Sequence, residues 1–128
     1  MATAAADLFA TVPTKDHLSL FVGSKAQGEK VVNFYGFKKA EISQAADVPI
    51  GSVRYDRMPR ELEERIKEWA LLANLVAGFF KGDATKTSLW FTTRNPMLGG
   101  VEPRTMIRFG RTDKLRRFVL NALAENRG

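Results

Sequence analysis

The chain has 128 residues, 45% of them hydrophobic and none of them cysteine, which suffices for one small core and excludes disulfides and thiolate chemistry. Twenty basic residues against 14 acidic ones give a formal charge of +6, which favours polyanionic partners. The start, MATAAADLFATVP, lacks the basic and long apolar regions of a signal peptide, and the apolar run from Ala70 to Phe80 is short and broken by Asn74 and Gly78, so a cytoplasmic protein with no membrane span is expected.

Residues 1–26 read as an arm: alanine-rich, then Val12-Pro13, the apolar run Leu18 to Val22, and Gly23-Ser24. A short strand, a helical turn and partial disorder all fit this stretch. From Glu29 the pattern turns helical. Val31, Val32, Phe34 and Tyr35 make a short apolar helix that Gly36 stops, Lys38 to Ala46 forms the next, and Val48-Pro49 breaks the chain before a third over Ile50 to Asp56. Pro59 suits a first helical position, and Glu61, Glu63 and Glu64 sit well near the positive end of the dipole.

The long helix from Pro59 to about Phe80 carries Leu62, Ile66, Trp69, Ala73, Val76 and Phe80 at alternating spacings of four and three, widened by Leu72, Leu75 and Phe79. So wide a stripe predicts burial on more than one side. Gly82 supplies a stop, and Asp83 an N-cap for a helix bearing Leu89, Trp90 and Phe91. After an Asn95 to Gly100 loop, Pro103 opens a short helix with Met106, Ile107 and Phe109. Thr112 is placed to cap a last helix with Leu115, Phe118, Val119, Ala122 and Leu123 on one face. The expectation is an all-α fold, a compact bundle of about seven short to medium helices.

Phe37 to Asp56 has the spacing of a helix-turn-helix, with Ile42 and Val53 as core pins, Ser43 as the small residue, Asp47 as the left-handed turn in place of the usual glycine, and Val48 buried beneath it. On that reading Ile50 to Arg57 is the recognition helix, from which Gly51, Ser52, Arg54, Tyr55 and Arg57 reach operator DNA. Arg54 suits a bidentate guanine contact, and Lys38 and Lys39 suit phosphates. The same spacing also suits a plain three-helix corner.

Catalysis finds little support. His17, the single histidine, lies in the arm, so no triad base is placed near a core site. No cysteine is available for a metal, the carboxylates gather at helix starts, and neither a P-loop nor a dinucleotide fingerprint is present. No catalytic residue, metal or cofactor is therefore assigned.

The ordered set of a Trp90 helix, Asn95-Pro96, Leu98-Gly99-Gly100, a helix-opening Pro103 and a helix-closing Gly110 resembles the toxin-binding domain of the Xre/MbcA/ParS antitoxin family. The likeness runs from about Pro59 to the C-terminus, behind the helix-turn-helix-like segment. It departs at Glu102, where a capping Thr is common in that family. The resemblance implies an arm (1–26), a DNA-binding segment (27–58) and a toxin-binding and dimerisation domain (59–128). It implies that the helical C-terminal domain docks on a cognate toxin protein, often an NAD-degrading enzyme of the RES type, and blocks its active-site cleft. Carried onto this chain, the contacts fall to Asn95, Pro96, Leu98, Gly99 and Gly100, the last helix, and the tail with Arg127 and Gly128. An antitoxin that also represses its own operon, acting as a homodimer, is the leading expectation. A stand-alone helix-turn-helix repressor without a toxin is the alternative.

Overall fold

The computed structural model describes residues 15–126, and its fold is all-α apart from one small hairpin. The hairpin pairs β1 (Phe21–Val22) with β2 (Lys25–Ala26) in antiparallel register, Phe21 opposite Ala26. Six α-helices follow: α1 (Gly28–Tyr35), α2 (Lys39–Ala46), α3 (Arg60–Phe79), α4 (Ala84–Thr92), α5 (Pro103–Arg108) and α6 (Thr112–Asn126). Among the described residues no helix is long and apolar enough to cross a membrane.

The helix α3 organises the rest. Leu62, Ile66, Trp69, Leu72, Ala73 and Val76 are buried, and so are Ala70, Leu71, Asn74 and Ala77, so the helix is covered on more than one side for most of its length. Pro59 lies one position before the helix, as its N-cap rather than its first residue. At the far end Lys81 and Gly82 adopt positive φ, and the Gly82 N–H donates to the Ala77 carbonyl, which closes the helix as the glycine predicts. Asp83 then caps α4 by accepting from the Lys86 N–H at 3.0 Å.

A single apolar core runs from Leu20 through α1, α2 and α3 to Val119 of α6, so the segments before and after residue 59 share one interior. Its centre is aromatic. The Tyr35 ring stacks on Phe37 and meets Phe91 edge-on at 5.0 Å, and Phe37 meets Trp69 edge-on at 5.7 Å. The Tyr35 hydroxyl donates to the Trp69 carbonyl at 2.6 Å, and burial raises its pKa well above the usual phenol range.

The part of the arm within the described residues is fixed by one polar side chain. Asn74, 4% exposed inside the apolar stripe of α3, accepts from the Leu18 N–H and donates to Asp16 Oδ1 at 2.9 Å. The same carboxylate accepts from the Leu20 and Phe21 N–H groups and so sets the start of β1. His17 rests against Gly78 and Gly82 at the end of α3, where a larger residue would meet its ring. Asn74→Leu is expected to cost about 1–3 kcal/mol, because it strands the Leu18 N–H and removes the amide that ties the Asp16 carboxylate to α3. Urea unfolding checks this, and a change within error of zero would show that the arm contributes nothing to stability.

Two cations of the C-terminal half act as struts. Arg104 bridges Glu102 at 2.8 Å and donates to the Tyr35 carbonyl, and Arg108 pairs with Glu41 at 3.2 Å, so α5 is tied to α1 and α2. These arginines belong to the fold rather than to a solvated basic face.

Candidate partner-binding surface

The turn of the helix-turn-helix forms as its residues dictate. Asp47 closes α2 with φ 55° and ψ 50°, in the left-handed region, and the Ser43 hydroxyl donates to the Val48 carbonyl across the turn. Ile42 and Val53 are both buried, and Val48 is half-buried.

The recognition helix does not form. In place of a helix over Ile50 to Arg57 there is one 3-10 turn, Ile50–Ser52, followed by non-helical chain. The cause is the spacing of the residues that need cover. Val53 is buried, and Tyr55, two residues on, packs with Met58 against Gly28; cover needed at i and i+2 suits extended chain better than one helical face. Gly51 adds its own cost to any helix there.

The expected DNA-contact residues therefore have new surroundings. Gly51 and Arg57 are exposed and Ser52 is partly covered. Burial first, then the nearby Glu29 charge, raises the pKa of Tyr55, whose ring packs inward. Arg54 is exposed but pairs with Asp56 at 3.1 Å, and that hydrogen bond and charge hold the Asp56 carboxyl below its ordinary range. Lys38 and Lys39 are exposed at the start of α2, while Gly51 and Ser52 follow its far end, about 12 Å away along a helix of eight residues. The structure thus keeps the turn and its pins but does not gather these residues on one groove-reading helix.

The Asn95 to Gly100 loop is built to a tight plan. The Asn95 side chain accepts from the Met97 N–H at 2.9 Å and caps the 3-10 turn Pro96–Leu98, with Pro96 at its start. Gly99 and Gly100 then take φ of 76° and 81°, which side chains rarely adopt, and the chain returns so that the Asn95 N–H donates to the Val101 carbonyl. Leu98 turns inward and packs on the core, whereas Pro96 is exposed and Met97 is 77% exposed at the tip. Glu102 makes no side-chain cap for α5 and its carboxylate goes to Arg104, in keeping with the weak start that its position before Pro103 implies.

This loop borders two apolar clefts. One, of about 160 Å³, lies between Val76, Phe79 and Phe80 of the α3 end, Trp90 and Asn95, and Phe118, Val119, Ala122 and Leu123 of α6. The other, of about 310 Å³, runs along α4 past Lys86, Leu89, Trp90 and Thr93 to Arg94, Asn95 and Pro96, with Phe80 on its other side. Phe80, Trp90 and Asn95 line both, so the clefts form one surface on which Leu89 is 63% and Phe79 51% exposed.

Of the expected toxin contacts, Asn95 and Pro96 stand on this surface, Gly99 and Gly100 are exposed beside it, and Leu98 supports the loop from within. Arg127 and Gly128 lie outside the described residues. The sequence does not single out Leu89 and Met97 as exposed, and Phe79 reads as part of the buried stripe of α3. The signal for the first lies in the run Leu89-Trp90-Phe91: successive helical residues point about 100° apart, so three apolar neighbours cannot all face one core. Phe91 is fully buried, Trp90 half-buried, and Leu89 is left outside. Among the described residues no cluster of three or more His, Cys, Asp or Glu side chains could hold a metal ion. The chain matches no protein-family model, no curated protein and no solved structure.

Proposed function

We propose that this chain is an antitoxin that neutralises a cognate toxin enzyme by direct binding, with the Asn95 to Gly100 loop and the clefts beside it as the contact surface. The observation that carries the reading is Met97. A flexible apolar side chain is held out at the tip of a loop whose geometry is fixed by Asn95 and two left-handed glycines, next to a continuous apolar surface. Exposed apolar surface on this scale marks an interaction site rather than a scattered residue. The order of motifs around the loop supplies the kind of partner, and through it the expectation of an NAD-degrading enzyme of the RES type.

Repression of its own operon is the second half of the proposal. The specific observation in its favour is the left-handed Asp47 turn with Ile42 and Val53 buried on either side. With one 3-10 turn where a recognition helix was expected, operator contact falls to exposed cations, namely Lys38, Lys39, Arg54 and Arg57, acting on phosphates more than on base edges. Dimerisation would double that contact across a two-fold operator. On this account binding weakens steeply with salt, and Arg54→Ala lowers affinity with little change in sequence preference. A shift assay on the operon's own promoter tests both. No retardation even at low salt would remove DNA from the account and leave neutralisation untouched.

The neutralisation reading is tested by inducing the neighbouring gene alone and together with this chain. Growth arrest with loss of cellular NAD, relieved by co-expression, is the expected result. Arrest without NAD loss would keep the antitoxin reading and reject the enzyme class.

A further inference from the structure

The surface along α4 is apolar at its centre and cationic at both ends. Lys86 lies in the first turn of α4 and Arg94 two residues beyond its last, where the chain has left the helix at Thr93, with Leu89 and Trp90 between them. Both cations are exposed, and neither makes an ion pair among the described residues. No carboxylate lines either cleft, and Asp83, the acid nearest to Lys86 in the chain, is occupied in capping α4.

We infer that this surface receives an amphipathic helix of the partner protein, with large apolar side chains at i, i+3 or i+4, and i+7, and carboxylates flanking them that meet Lys86 and Arg94. It rests on the toxin-binding reading for the identity of the partner, and it adds the chemistry of the segment that docks. The apolar anchors fit the helix-in-groove mode, in which a preformed groove takes one face of an incoming helix. Carboxylates on both flanks of the apolar anchors bring an acid to each of the two cations that border the cleft.

A second copy of this chain fits poorly. A two-fold contact through this face would set Lys86 or Arg94 of one copy against the same cations of the other, and each such pairing is repulsive. The formal charge of +6 further favours an acidic partner through long-range attraction.

The test uses the whole chain and three synthetic amidated helical peptides of about 16 residues, roughly four turns. One carries leucines at the stated spacing with flanking glutamates, one has lysines in place of the glutamates, and one has serines in place of the leucines. The glutamate peptide is expected to bind and to shift the backbone amide resonances of Phe80, Leu89 to Asn95 and Phe118 to Leu123. The double variant Lys86→Glu, Arg94→Glu should lose about tenfold or more in affinity for it and gain for the lysine peptide. Equal affinity for both flank charges, or resonance shifts that map elsewhere, would overturn the inference.

The same double variant separates this inference from the reading beneath it. If it still relieves growth arrest and holds the toxin as tightly as the original chain, the helix does not dock here although the antitoxin reading survives. If the charge swap holds in the peptides but no toxin exists, the antitoxin reading fails and the docking chemistry remains.

Discussion

Trp69→Ala is expected to cost about 3–5 kcal/mol, and Trp69→Phe less than about 2 kcal/mol. Trp69 has no exposed surface, lies near the middle of α3 and meets Phe37 edge-on, so truncation opens a cavity where α1 and α3 pack. A loss of that size is a large share of the roughly 5–15 kcal/mol that holds a domain of this length together. The phenylalanine variant differs for a specific reason. Trp69 Nε1 is buried with no hydrogen-bond partner, so the shorter ring gives up volume but also removes a donor that has lost water and gained nothing. Chemical denaturation of the two variants beside the parent decides the matter. Equal losses would show that the indole nitrogen carries no penalty, and an alanine loss under about 1 kcal/mol would mean that the core closes around the gap.

Met97→Asp is expected to leave stability within about 0.5 kcal/mol of the parent, because the side chain is almost wholly in solvent. Its effect on partner binding is expected to be large, about 2 kcal/mol or more, a loss of roughly thirtyfold or greater, as befits an apolar anchor held out at the tip of the proposed contact loop. Leu98→Asp should behave in the opposite order. Leu98 packs on the core, so its replacement should lower stability first and binding as a consequence. Unfolding curves and affinity for the purified partner, measured on the same two proteins, separate the roles. A Met97→Asp protein that binds as well as the parent would move the contact surface away from the loop tip.

The helices were legible wherever one periodicity and one cap governed a stretch. The stripe on α3, the Gly82 stop, the Asp83 cap and the Pro103 start all follow from local chemistry and recur in the fold. Two regions were not legible, each for a tertiary reason. The segment after Pro49 reads as helical by composition, but Val53 and Tyr55 must both find cover two residues apart, and Gly28 offers the seat for Tyr55, so the chain extends. The arm offers no periodicity of its own, and what fixes its described part is Asn74, a residue 58 positions downstream of Asp16 that in sequence only interrupts an apolar run. The candidate surface was half visible. Asn95, Pro96 and the glycines stand out by their backbone chemistry, whereas the exposure of Phe79, Leu89 and Met97 depends on which neighbours claim the interior.

The most direct test of the account is the affinity of this chain for the purified product of the neighbouring gene, together with growth rescue by the same chain and by its Met97→Asp form. A stable complex, rescue by the original chain, and loss of both with a folded Met97→Asp protein are the expected results. A harmless neighbour that forms no complex, or a Met97→Asp protein that binds and rescues in full, would contradict it.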